Sequence, residues 1–173
     1  MSSRSAVVVI AVLLASHGGN AADAPVPCGR ILTRAEVQDV AGPGWQSLGQ
    51  EETGAGKSEC TWLREDGRKP KAIAVTYWTR DAVKGSSLAD HFEAQARRAE
   101  KVHENGREAL AGIGERAVLV PGKKPGAMAV LVLQTAAGVA YIETDYLERS
   151  QLLRLARAAA APRTRRPGAA TGP

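Results

Sequence analysis

Residues 127–146 read AMAVLVLQTAAGVAYIETDY. Ala127–Thr135 is a nearly continuous apolar run, as a strand buried on both faces requires. Val139–Tyr146 follows after the short turn Ala136-Ala137-Gly138 and is its expected hairpin partner. Upstream, Gly112-Ile113-Gly114 is a turn before a strand at Arg116–Val120. Lys71–Thr79, KAIAVTYWT, is a further strand, rich in β-branched and aromatic residues. Trp45–Glu52 and Ser58–Arg64, joined by a glycine-rich loop, read as another hairpin. Period-two alternation puts Cys60, Trp62 and Arg64 on one face, with Cys60 and Trp62 inward.

Helices bracket these strands. Thr33 and Glu36 form a capping box for a helix from Arg34 to about Val40, ended by Gly42-Pro43-Gly44. Leu88, Phe92, Ala96 and Ala99 recur at helical spacing within Leu88–Glu104, which stops at Asn105-Gly106. Arg149–Ala160 is a closing helix carrying Leu152, Leu153 and Leu155. The expected order is α-β-β-β-α-β-β-β-α. Short connections favour antiparallel pairing, so the fold class is α+β, a central antiparallel or mixed sheet flanked by helices.

The chain of 173 residues has room for one such domain, expected over residues 25–161. Hydrophobic residues make up 44% and aromatics only 4%, so the core is built from Ala, Val, Leu and Ile. Ahead of it, Arg4 and the ten-residue apolar run Ala6–Ala15 have the layout of a secretory signal peptide, residues 1–22. Ten apolar residues are too few to span a bilayer, which takes about 20. Pro27 before Cys28 speaks against lipidation. The expected location is therefore the periplasm or the medium, with no transmembrane segment after cleavage. In that compartment Cys28 and Cys60, the only two cysteines, are expected to pair; two buried free thiols are the alternative.

The tail, residues 162–173, is rich in Pro, Gly and Arg and is expected to be disordered. Its three arginines carry most of the net charge: +5 less three leaves +2. A nearly balanced domain argues against nucleic acid as a partner, although the tail can weakly contact anionic surfaces.

Catalytic patterns are scarce. Gly54-Ala55-Gly56-Lys57-Ser58 resembles the end of a phosphate-binding loop, but Glu51 stands where the first glycine belongs and a strand follows. His91 and His103 lie about 18 Å apart along one helix, too far to share a metal ion. Tyr141, Glu143 and Asp145 share a strand face, which alternation favours as solvated surface over an acid–base pair. No catalytic, cofactor-binding or metal-binding residue is assigned, and no cofactor is expected. Trp45, Tyr77, Trp78, Tyr141 and Tyr146 are the candidate ligand-facing residues, weighed against plain core and edge packing.

Several landmarks in order resemble the small exported bacterial proteins grouped as domain of unknown function 3558. They are Pro27-Cys28, Ile31-Leu32-Thr33 with Glu36-Val37, Cys60-x-Trp62, Gly112-Ile113-Gly114-Glu115-Arg116-Ala117 and the closing leucine-rich helix. The resemblance covers Cys28 to Ala160. It implies a PsbP-like α/β fold, an envelope location and a cysteine pair, with no established catalytic residues. The function expected is a non-enzymatic binding or accessory domain for an envelope partner or a small apolar ligand. A loop-based periplasmic enzyme or enzyme inhibitor, with its site on loops such as Pro121–Gly126, is the alternative. An apolar cavity lined by Trp or Tyr would favour the first, converging carboxylates of perturbed pKa the second.

Overall fold

The computed structural model describes residues 30–52, 56–65, 70–83, 85–124, 126–145 and 147–162. The signal-peptide reading, Cys28, Tyr146 and the tail beyond Pro162 lie outside the described residues. The elements are α1 (Arg34–Ala41), β1 (Gln46–Glu52), β2 (Lys57–Arg64), β3 (Lys71–Thr79), α2 (Leu88–His103), β4 (Glu108–Ala109), β5 (Arg116–Val120), β6 (Ala129–Thr135), β7 (Gly138–Thr144) and α3 (Arg149–Ala160). The expected α+β order holds. A two-residue strand, β4, and a short 3-10 turn at Asp81–Val83 are added to it.

The described strands form one sheet in the order β1-β2-β3-β7-β6-β5-β4, and every pairing is antiparallel. Two meanders, β1–β3 and β4–β7, are joined where β3 pairs with β7, Ile73 opposite Thr144 and Thr79 opposite Gly138. Gly138 opens β7 where a Cβ would lie 2.2 Å from the Trp78 carbonyl and 2.6 Å from the Tyr77 hydroxyl. Only glycine lets the Tyr77 ring lie across that turn.

Each helix begins as local chemistry dictates. The Thr33 hydroxyl accepts from the Glu36 amide at 3.2 Å, and the Glu36 carboxylate accepts from the Thr33 amide at 2.7 Å. Ser87 and Asp90 repeat this box at α2, so two otherwise orphaned donors are satisfied at each start. Gly42, at φ +86°, ends α1 with its amide bonded to the Gln38 carbonyl.

The helices divide between the two faces of the sheet. α1 and α3 pack together over one face, around Trp45, Cys60, Trp62, Ile73, Leu131 and Ile142. α2 lies over β5, β6 and β7 on the other, its Leu88, Phe92, Ala96 and Ala99 meeting valines 118, 120, 130, 132 and 139. This is the stripe its periodicity predicts. Cys60 and Trp62 are 1% and 2% exposed, inward as expected.

Candidate functional site

The aromatic candidates among the described residues do not share one groove. Trp45 is fully buried. Its indole N–H donates to the Ala41 carbonyl at 3.4 Å, and the Arg64 guanidinium stacks over its ring at 5.3 Å while donating to the same carbonyl. It is a core residue closing the turn from α1 into β1, with no surface left for a ligand. Tyr77 and Trp78 are neighbours on β3 and so point to opposite faces.

On the α2 face, Trp78 is half-buried, edge-on to His91 at 4.8 Å and under the Lys57 ammonium at 5.9 Å. Tyr141 lies on the same face, with the Arg98 guanidinium 5.8 Å from its ring centre. Sequence alternation favoured a solvated Tyr141; α2 covers it to 5% exposure. Burial chiefly, then the Glu143 charge, pushes its phenol up, with Arg98 opposing. Burial also holds the His91 imidazole below its ordinary value. Asp145 does structural work instead, accepting from the Ala72 amide at 3.1 Å.

Tyr77 faces the other way, into a pocket of about 480 Å³. Ile31, the β6–β7 turn at Ala136 and Ala137, and the end of α3 at Ala159–Pro162 form its apolar walls. The Tyr77 hydroxyl sits beside Thr135 at the floor, and burial pushes its phenol up, partly offset by that hydrogen bond. Arg30 and Glu115 stand at the rim, where the Gln134 amide donates to Glu115 at 2.8 Å. The volume is within the roughly 300–1,000 Å³ of small-molecule sites. Mostly apolar walls with a few fixed polar atoms are what such sites use to gain affinity and orientation.

The sequence pointed to Tyr77 but not to its companions. Ala136, Ala137, Ala159 and Ala160 read as turn and helix-end filler. They line a pocket because α3 ends beside the β6–β7 turn, which no local pattern announces.

The loop proposed for an enzyme site holds less. Leu119, Ala127, Leu147 and Leu152 border a recess of about 300 Å³ beside Lys123 and Lys124, and Lys123 is bound to Glu104. Pro125 lies outside the described residues. The carboxyls held low are Asp90, by Ser87 in the helix cap, and Glu93, by Arg107. Both are outer-surface groups with structural partners. No group of three or more His, Cys, Asp or Glu among the described residues could hold a metal ion. No helix among them is long and apolar enough to cross a membrane. Compared with protein-family models, curated proteins and solved structures, the chain matches none.

Proposed function

We propose that this chain is an exported, non-enzymatic binding domain that holds a small apolar ligand in the Tyr77 pocket. The observation that carries the reading is that pocket itself: about 480 Å³, walled by Ile31, alanines and Pro162, with one phenol at its floor. A ligand there gains mainly by removing apolar area from water, and the Tyr77 and Thr135 hydroxyls can orient one polar group on it. The envelope location rests on Arg4 and the Ala6–Ala15 run. The domain of unknown function 3558 resemblance and its PsbP-like fold belong to the same proposal, supported by the order of motifs from Cys28 to Ala160. So does a Cys28–Cys60 bond: Cys60 is buried on the inward face, and no described cysteine is free.

Titration with the neutral fluorescent probe N-phenyl-1-naphthylamine tests the binding reading. Saturable enhancement is expected, abolished in Ala160→Trp, which fills the pocket, with the melting temperature held. Enhancement that survives Ala160→Trp unchanged, or none at all in the wild type, defeats the reading. N-terminal sequencing of fractionated protein tests export, which an intact Met1 on cytoplasmic protein would refute.

A further inference from the structure

The floor of the Tyr77 pocket holds a hydrogen-bond donor with no protein acceptor. Tyr77 stands between Ser58 on β2 and Ala140 on β7. Its ring crosses Gly138, so its hydroxyl reaches the β6–β7 turn, where Thr135 is the polar neighbour. The Thr135 hydroxyl oxygen accepts from the Ala137 amide at 3.3 Å. Its single proton is directed between the Gly138 carbonyl, at 3.4 Å, and the phenol oxygen. The contact with Thr135 lowers the phenol's pKa, as a bond donated to its oxygen does. Tyr77 therefore keeps its own proton to give. Ser58 does not take it, since the buried Ser58 hydroxyl has no hydrogen-bond partner, and Ala140 has no polar side-chain atom. Among the described residues nothing accepts from the Tyr77 O–H.

The acceptors around the floor are, by contrast, already engaged. The Ala136 carbonyl accepts from Arg80 at 3.3 Å, the Gly138 carbonyl faces Thr135, and the Gln134 carbonyl accepts from the Glu115 amide at 2.8 Å. A polar group seated on the floor thus meets one free donor and no free acceptor. Burial pushes the phenol up, so it is protonated at neutral pH. The same burial penalises an anion placed beside it. The charged lining residues, Arg30 and Glu115, are of opposite sign and stand at the rim. A ligand hydroxyl would bring a proton that the floor leaves unpaired, at the cost of its desolvation. A carbonyl oxygen only accepts, which is what the floor offers to satisfy.

We propose, taking the Tyr77 pocket as the binding site, that its ligand is an uncharged carbonyl compound with an aliphatic body, such as a ketone, ester or lactone, whose oxygen accepts from the Tyr77 hydroxyl. The body lies against Ile31 and the alanines of the β6–β7 turn and the α3 end. Tyr77 sets the specificity, and Thr135 positions its phenol.

Competition of 2-nonanone, 2-nonanol and nonanoate against N-phenyl-1-naphthylamine tests this on the mature protein. The three share chain length and differ in the polar group. The ketone is expected to displace the probe best, by about tenfold over the other two. In Tyr77→Phe the ratio of ketone to probe affinity should fall about tenfold, and ketone and alcohol should become equivalent. Equal displacement by ketone and alcohol in the wild type overturns the proposal, as does an unchanged ratio in Tyr77→Phe or no displacement by any of the three. Tightest binding of nonanoate also overturns it, by placing the head group at Arg30 instead. The wild-type order needs no variant, so it decides even if Tyr77→Phe fails to fold. Probe enhancement that is saturable and abolished by Ala160→Trp, yet shows no ketone preference, sinks the carbonyl assignment alone. Absence of any enhancement sinks the pocket and the assignment together.

Discussion

The two faces of the sheet are built from different sizes of side chain. In β5 and β6 the sequence alternates Val118-Leu119-Val120 and Val130-Leu131-Val132-Leu133. The valines face α2, and the leucines face α1 and α3. On the valine side α2 presents Ala96 and Ala99, both fully buried, so helix and sheet meet closely through short side chains. On the leucine side Trp45, Trp62, Leu152 and Leu155 fill a deeper layer that takes two helices. One strand thus serves two cores of different depth. The thin side depends on small residues staying small, the thick side on large ones staying large.

Truncation in the thick layer should cost most. Trp62→Ala is expected to lose about 3–5 kcal/mol, read by urea unfolding. Val132→Ala should lose less, since fewer buried carbons are removed. Equal losses would erase the contrast between the faces. Cys60→Ala also acts on the thick side. With Cys28 as partner it should cost roughly 3–4 kcal/mol and leave Cys28 to form covalent dimers on non-reducing gels. Two alkylatable thiols in the native protein would refute that pairing.

Enlargement should hurt the thin side. Ala99→Leu forces α2 away from Val118 and Val130 and should destabilise by about 1–3 kcal/mol. A neutral or stabilising result would mean that the valine layer has spare volume. The smallest effect is one of pH. Burial lowers the folded pKa of His91 from its ordinary 6.5. The unfolded chain therefore takes up the proton first as pH falls. The stability linked to neutral His91 is complete above 6.5 and is lost as pH falls through the lower folded value. His91→Gln should flatten the melting temperature over that acidic range, and an unchanged slope would place its origin elsewhere.

Much of this was legible in the residues, because local rules govern it. The capping box at Thr33, the α2 stripe and the spans Arg116–Val120 and Arg149–Ala160 needed only periodicity and caps. Strand order did not follow from those rules, because β3 meets β7 across the whole of α2 and β4–β6. β4 was invisible because Glu108 and Ala109 are exposed and their pairing with β5 leaves no alternation to detect. Trp45 misled as a ligand candidate. It belongs to the core because α1, β1 and Arg64 close around it, a convergence set by tertiary packing. The pocket was half-readable: Tyr77 stood out as an aromatic, whereas alanines brought together from a turn and a helix end carry no signature.

The β3–β7 seam also bears on how the chain finds its structure. Within either meander, each strand pairs with the next along the chain, so these contacts close short loops. The seam must instead bring Ile73 to Thr144, and the entropy of that long closure precedes its reward. We therefore expect two hairpin-rich halves to gain protection early and the seam amides of Val75 and Ile142 to gain it last in pulsed hydrogen exchange. Early protection at the seam would instead make it the nucleus. Late closure would leave the long edges of β3 and β7 unpaired in the half-folded chain, and those edges are where misassociation between newly made copies would begin.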